Sequence, residues 1–184
     1  MTLTIRLCRL ERRALLRLVA GRLSAAALTR PTARDWLEAA ALLALATALI
    51  IPLGLAGGFL SWAPQSDLAD IARAATIALL IPAFGEELLF RAAIIPRDAP
   101  KRARFGWALA GLAAFVAWHP LEAALWLTAA RPLFFTPAFL IAAGTLGAAC
   151  TLSYLRAKSL WPPVAIHWLA VVGWKALGGG PALF

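Results

Sequence analysis

Five apolar segments, each close to the length of a membrane span, occupy residues 36–60, 68–95, 105–128, 133–155 and 160–177. A helix needs about 20 apolar residues to cross a bilayer. Lipid offers no partners to backbone polar groups, so such segments are expected to be helical. Hydrophobic residues make up 62% of the chain, against roughly 45–50% in soluble domains. The sequence therefore predicts an all-α, polytopic transmembrane bundle of about five spans.

Residues 1–35 form a basic tail ahead of the membrane domain, which we place at residues 36–184. The tail has arginines at intervals of three and four residues, namely Arg6, Arg9, Arg13 and Arg17. Leucines occupy another stripe of the same helix. This pattern predicts an amphipathic helix on the membrane surface with anionic lipid as its partner. A partly disordered basic tail is the alternative.

The loops between the segments differ in charge. Residues 96–104 contain four Lys or Arg and residues 156–159 contain two, whereas residues 61–67 contain none and 129–132 contain only Arg131. Basic loops stay in the cytoplasm. We therefore expect a multi-pass protein of a bacterial inner membrane with a cytoplasmic N-terminus. The net charge of +9 follows this distribution, so nucleic acid is not an expected partner.

The second apolar segment carries three ionisable groups: Glu86, Glu87 and Arg91. Charged side chains within a bilayer cost a few kcal/mol each and usually face a protein interior or a wet cavity. Glu87 and Arg91 are four residues apart and can pair. Glu86 lies about 100° further round the helix, so it is free to face the cavity as a general base. Pro82 is expected to kink the helix and open that cavity.

Two histidines, His119 and His167, lie in the third and fifth segments. At about 1.5 Å per residue, the carboxylate pair and both histidines fall roughly 10–21 Å from the cytoplasmic boundary. They can thus share one cavity, which we expect to open toward the cytoplasmic half. Phe115 is expected to pack on the His119 ring. Pro120, directly after His119, predicts a break in the helix at that point.

Three ordered motifs resemble a known family. They are Glu86-Glu87-x-x-x-Arg91, Phe115-x-x-x-His119, and His167 following Leu-Trp-Pro-Pro at 160–163. Together they are similar to the CPBP family (CAAX protease and bacteriocin-processing), intramembrane endopeptidases that include the type II CAAX prenyl endopeptidase. The resemblance covers a core of about residues 68–177.

The resemblance implies hydrolysis of a peptide bond in a membrane-associated protein or peptide. By this likeness Glu86 with His119 activates a water molecule, and His167 donates to the tetrahedral oxyanion. Glu87 and Arg91 order the site. Many members carry His-x-x-x-Asn in the third motif, and this chain has Val171 at the position of the amide, which puts oxyanion stabilisation in doubt.

The sequence leaves alternatives open both for the cofactor and for the function. We favour a metal-free mechanism, but Glu86, His119 and His167 also match the ligand set of a catalytic zinc ion with an open fourth position. A catalytically inert membrane scaffold or bacteriocin-immunity protein could use the same cavity to bind a partner, and the replacement of Asn by Val171 supports that alternative. A metal-binding transporter is the third hypothesis.

Overall fold

The computed structural model describes residues 2–181, with side chains from residue 13 onward. The side chains at the start of the arginine stripe therefore lie outside the described residues. No β-strand occurs in residues 2–181, and the all-α prediction is confirmed. The helices are α1 (Thr2–Leu28), α2 (Ala33–Ala56), α3 (Leu68–Ala93), α4 (Lys101–Leu125), α5 (Arg131–Phe134), α6 (Pro137–Ala157) and α7 (Trp161–Leu177).

Four of the five predicted apolar segments form helices long and apolar enough to cross a membrane: α2, α3, α4 and α6. The fifth segment forms α7, which has 17 residues and is shorter than the roughly 20 needed to span. It packs against α2, α3 and α6 and buries much of its first half. Within the described residues there are thus four candidate spans by length and composition, and α7 is an additional helix packed on the bundle.

One end of the bundle gathers the C-terminus of α1, the loop before α4 and the start of α7. Arg97 Nη2 donates to Thr29 Oγ1 at 2.7 Å, and the Leu160 amide donates to the Ala26 carbonyl at 3.0 Å. We call this the basic end. Its Lys and Arg residues are Arg22, Arg30, Arg34, Arg97, Lys101, Arg102, Arg104, Arg156 and Lys158.

The opposite end carries the loop after α2, the loop between α4 and α6, and the C-terminus of α7. The Ser61 amide donates to the Gly178 carbonyl at 3.1 Å, and Trp174 Nε1 donates to the Phe59 carbonyl at 3.0 Å. We call this the open end. Successive helices thus alternate between the two ends, as the loop charges predict.

Helix α3 changes geometry part-way along its length. Residues Leu68–Ala78 are α-helical, whereas Leu79–Glu86 and Leu88–Ala93 form π-helix. Pro82 lies in the first π-helical stretch, where it lacks an amide donor and crowds the preceding turn. π-Helical turns are rare and often occur at functional sites. Pro82 thus marks a distortion of the helix, as predicted, and the distortion takes the form of π geometry.

The last turns of α1 are docked on the bundle. Arg22 Nη1 donates to the Ala93 carbonyl at 3.2 Å, and Ala26 is fully buried. Residues 2–28 are helical. Of the two alternatives for the tail, this agrees with a helix and not with a partly disordered segment. The location of α1 at the membrane surface, its anionic lipid partner and the division of the chain at residue 35 stay predictions.

Candidate active site

The predicted pair between Glu87 and Arg91 is formed deep in the bundle. Arg91 Nη1 lies 3.0 Å from Glu87 Oε1, and both side chains are 0% exposed. Glu87 Oε1 also accepts from His167 Nδ1 at 3.0 Å. An unpaired buried charge would cost several kcal/mol, so each member of this trio depends on the others. The contact between Glu87 and His167 joins α3 to α7 and was not predicted.

Arg91 is held by two further contacts. Its Nη2 donates to the Gly147 carbonyl at 2.9 Å, and its guanidinium carbon lies 4.3 Å from the centre of the Phe115 ring. Gly147 makes the second contact possible, because a Cβ at this position would lie 2.8 Å from Phe115 Cδ1. The guanidinium is therefore fixed by α3, α4 and α6 together.

Glu86 points away from this trio, as its position on the helix predicts. Its side chain is 12% exposed, and its Oε2 lies 4.0 Å from His167 Nε2. Among the described residues this oxygen has no hydrogen-bond partner. A buried carboxylate oxygen without a partner is uncommon in native proteins, and Oε2 of Glu87 is a second example at this site. Glu86 faces the cavity described below.

His119 lies across the same cavity from α3. Its Nδ1 is 2.9 Å from the Phe115 carbonyl, and its ring packs on Phe115 at a centroid distance of 5.0 Å, as predicted. Since a carbonyl only accepts, Nδ1 must carry the proton, which leaves Nε2 of the neutral ring as an acceptor. The predicted break at His119 is wrong. Helix α4 continues through Pro120 to Leu125, because a membrane bundle can satisfy the freed backbone groups.

A cavity of about 340 Å³ contains Glu86, His119 and His167 in its lining, a volume in the usual range for ligand sites. Its walls are mostly apolar and aromatic. They include Phe59, Phe134, Phe139, Val171 and Trp174. Glu86, His119 and His167 share one cavity, as predicted, whereas Glu87 does not line it. Glu87 is fully buried, and its pair with Arg91 lies directly behind the cavity.

The cavity extends along the bundle toward the open end. Besides the site residues, its lining includes Trp126, Leu127 and Pro181, which belong to the open end. The expected opening toward the cytoplasmic half and the depth of each group in the bilayer stay predictions.

Glu122 adds a third carboxylate to the cavity wall. It lies about one helical turn beyond His119 toward the open end, as its spacing predicts. Within the described residues, no group of three or more His, Cys, Asp or Glu side chains is arranged to hold a metal ion. Glu86, His119 and His167 line one cavity without forming such a group, so their arrangement does not fit the zinc site that their residue types allow.

The family model described as type II CAAX prenyl endopeptidase Rce1-like matches residues 69–172, more than half of the chain. The chain belongs to this family. Membership of the Rce1-like CAAX proteases supports an intramembrane protease role, and the apolar helices are those of a multi-pass membrane protein. In the comparisons, no curated protein and no solved structure matched the chain.

The matched region of this Rce1-like protein includes all three motifs and Val171. Val171 lines the cavity, so an apolar side chain occupies a position within reach of a bound substrate. Two supporting residues were missed from the sequence. Neither Gly147 nor Gly111 was assigned a role at the site, although a Cβ at Gly111 would lie 2.6 Å from the Phe90 carbonyl. Glycines at helix crossings were the available signal, but their partners lie on other helices.

Proposed function

We propose that the cavity is the active site of a metal-independent intramembrane endopeptidase in which Glu86 activates the attacking water. The observation that carries the proposal is the position of Glu86. It lies at the floor of an apolar cavity, with an oxygen that lacks a protein partner and a histidine 4.0 Å away. A general base must be within hydrogen-bond reach of the water it deprotonates. Glu86 lines the cavity in which that water would lie, and its side chain is 12% exposed.

The charged groups beside Glu86 can balance one another. Glu86 and Glu87 contribute two carboxylates, and Arg91 supplies one guanidinium. His167 lies between the carboxylates, with Nδ1 at 3.0 Å from Glu87 and Nε2 at 4.0 Å from Glu86. When His167 is protonated, the four groups carry no net charge. A neutral cluster avoids the cost of an isolated charge in a low-dielectric interior.

In the proposed reaction, a water molecule between Glu86 and His119 attacks the carbonyl carbon of the scissile peptide bond. Glu86 takes one proton from this water while the new carbon–oxygen bond forms. His119 Nε2 orients the water as an acceptor, since its Nδ1 proton is committed to the Phe115 carbonyl. The carbonyl oxygen becomes an oxyanion, and the Nε2–H of protonated His167 donates to it.

The tetrahedral intermediate then collapses. The carbon–nitrogen bond breaks, and Glu86 returns its proton to the leaving amine, so that a new carboxylic acid and a new amine are formed. On release, the acid passes its remaining proton to the amine or to solvent, which gives the carboxylate. Glu87 and Arg91 touch no reacting atom. They hold the His167 ring with Nε2 toward the cavity, which is a positioning role.

A membrane-anchored protein or peptide is the proposed substrate class, since the cavity walls are apolar. The proposed orientation places the N-terminus in the cytoplasm.

Val171 favours one competing function. An inert binding protein would have no need of an oxyanion donor, and this chain has a valine where many relatives have an amide.

The test compares wild type with Glu86→Gln in detergent, using a library of membrane-anchored peptides and mass spectrometry. Glu38→Gln is the matched control, because Glu38 lies at the basic end in ion pairs with Arg34 and Arg156.

Cleavage by wild type and Glu38→Gln, unaffected by chelators and absent in Glu86→Gln, is the expected result. Activity that is lost on chelation and restored by zinc would overturn the metal-independent mechanism. Cleavage by Glu86→Gln at the wild-type rate would overturn the assignment of the base. Binding of a library peptide by all three proteins without cleavage would favour the inert binding protein.

A further inference from the structure

Glu122 is a carboxylate of the cavity wall that the proposed reaction does not use. Among the described residues, two carboxylates line the cavity, Glu86 and Glu122. Glu122 lies in α4, one of the candidate spans, and its side chain is partly buried. Ionisable side chains within a span are costly, and they usually pair with a partner or mark the path of a substrate. The position of Glu122 therefore raises the question of which group it pairs with.

The ion pairs in the described part of the chain do not include Glu122. Their carboxylates belong to Glu38, Asp70, Glu86 and Glu87. Arg131 is the cation nearest to Glu122 in the sequence. Its Nε donates to the Ala123 carbonyl at 3.0 Å, and its Nη2 donates to the Ala124 carbonyl at 2.9 Å. Arg131 thus caps the end of α4, and the carboxylate of Glu122 is left to the cavity.

Lys175 also lines the cavity, from helix α7. Its Nζ donates to the Pro181 carbonyl at 2.9 Å, and the same side chain lines a smaller pocket that contains Asp70 and Arg73. Glu122 belongs to α4 and does not line that pocket. The two charged groups therefore stand on different helices of the cavity wall, and Lys175 is engaged with the chain that follows α7.

The aromatic lining of the cavity suits the rest of a cationic side chain. Trp126 follows Glu122 by four residues and lines the same cavity. Phe134 and Phe139 are stacked at a centroid distance of 4.6 Å and also belong to the lining. Aromatic faces attract the cations of Lys and Arg, and apolar surface can cover the methylene stems of these residues. A carboxylate in a wall of aromatic rings is thus an arrangement that can bind a cation and its stem.

We propose that Glu122 is a specificity residue that binds the ammonium or guanidinium group of a Lys or Arg side chain in the substrate. Glu122 follows His119 by three residues, or about 4.5 Å along the helix axis. An extended polypeptide advances by roughly 3.3–3.6 Å per residue. The basic residue therefore lies one or two residues from the scissile bond. The inference rests on the proposed function for the bond that is cleaved, whereas the cation site depends on the cavity alone.

Peptide binding in detergent tests the cation site without any turnover. Every protein carries Glu86→Gln, which removes the other carboxylate of the lining and the proposed base. The probes are fluorescent peptides with an apolar anchor of about 20 residues and a flanking segment. Lys, norleucine or Glu stands at one position of that segment, and the position is moved along it from peptide to peptide. Glu122→Gln and Glu122→Lys are added to this background, and Glu38→Gln is the matched control because Glu38 is paired at the basic end.

We expect the background protein and its Glu38→Gln derivative to bind a Lys peptide about 10–100-fold more tightly than the norleucine peptide, the range for a hydrogen bond to a charged group. Glu122→Gln should bring this ratio close to one, and Glu122→Lys should favour the Glu peptide instead. Equal affinity of the background protein for the Lys and norleucine peptides would overturn the inference. A preference for Lys that survives Glu122→Gln would overturn it as well.

Cleavage gives a second measurement once Glu86 is restored. In the peptide library, a basic residue one or two positions from the cut bond should be enriched for wild type and not for Glu122→Gln. For a Lys peptide, Glu122→Gln should raise KM and leave kcat unchanged, because the ion pair is made equally in the ground state and the transition state. Wild-type cleavage sites without a nearby basic residue would contradict the inference. Failure to cleave any peptide would count against the protease, whereas the binding ratios decide the cation site.

Discussion

The Nδ1 atom of His167 lies 3.0 Å from Oε1 of Glu87, although 80 positions separate the two residues in the sequence. This contact fixes the last motif of the site to the first and turns Nε2 of His167 toward Glu86. Because the same carboxylate oxygen also meets Arg91 at 3.0 Å, one buried oxygen organises both cations. Glu87 thus holds Arg91 and His167 in place, while Glu86 faces the cavity.

Arg91→Ala is expected to destabilise the protein strongly. It leaves the fully buried Glu87 with one cationic partner fewer, and breaking a buried ion pair in this way costs about 3–5 kcal/mol. Thermal unfolding in detergent measures the loss. The double variant Glu87→Leu with Arg91→Met removes both charges and should recover much of the stability without recovering activity. A double variant less stable than Arg91→Ala would contradict the pairing.

Gly147→Ala is expected to lower both stability and activity. The added Cβ would lie 2.8 Å from Phe115 Cδ1 and 2.9 Å from Leu112 Cδ1, and overpacking of this kind costs about 1–3 kcal/mol. Gly144→Ala on the same helix is the matched control. Its Cβ would meet Val116 at 3.6 Å, an ordinary contact. Equal unfolding temperatures for the two variants would show that Gly147 is not needed for the approach of Phe115.

His119→Phe should remove catalysis while keeping the ring. The His119 ring packs on Phe115, Phe134 and Phe139 at centroid distances of 5.0–5.5 Å, and a phenyl ring can keep those contacts. Only the nitrogens are lost. We expect the rate of cleavage to fall by about 10²–10⁴-fold, the usual contribution of acid–base groups, with little change in unfolding temperature. A rate within a few-fold of wild type would remove His119 from the mechanism.

Val171→Asn places an amide donor on the cavity wall. If His167 alone serves the oxyanion, the added donor should raise kcat by roughly ten-fold, less than the 10²–10³-fold that loss of an optimised donor costs, and leave KM unchanged. Val172→Asn is the matched control, since Val172 lines a separate, smaller pocket. No change in kcat for Val171→Asn would show that residue 171 does not reach the oxyanion.

Much of the fold could be predicted from the sequence. The apolar segments specify helices because lipid leaves the backbone no other partner, and the all-α bundle is confirmed. The fifth segment was predicted at residues 160–177 and forms α7 at Trp161–Leu177, which by length falls short of a candidate span. The geometry of α3 was missed in part. Pro82 predicted a distortion there but not its π-helical form, which depends on the packing of neighbouring helices.

The contacts of the candidate site were likewise predicted only in part. The pairing of Glu87 with Arg91 and the packing of Phe115 on His119 follow from i, i+4 spacing within one helix. The contacts of Glu87 with His167 and of Arg91 with the Gly147 carbonyl join different helices, and no local pattern encodes them. The shape of the cavity likewise depends on side chains from several helices. Sequence spacing predicted which residues could meet but not which side chains would enclose the space between them.

The most direct measurement of the central claim follows the attacking water itself. Wild type and Glu86→Gln are incubated with a cleavable membrane-anchored peptide in water enriched in heavy oxygen, and the products are weighed by mass spectrometry. If Glu86 activates water for direct attack, the new carboxylate from wild type carries one heavy oxygen from the first turnover, and Glu86→Gln gives no product. Product formation by Glu86→Gln at the wild-type rate, or first-turnover product without heavy oxygen, would contradict the account.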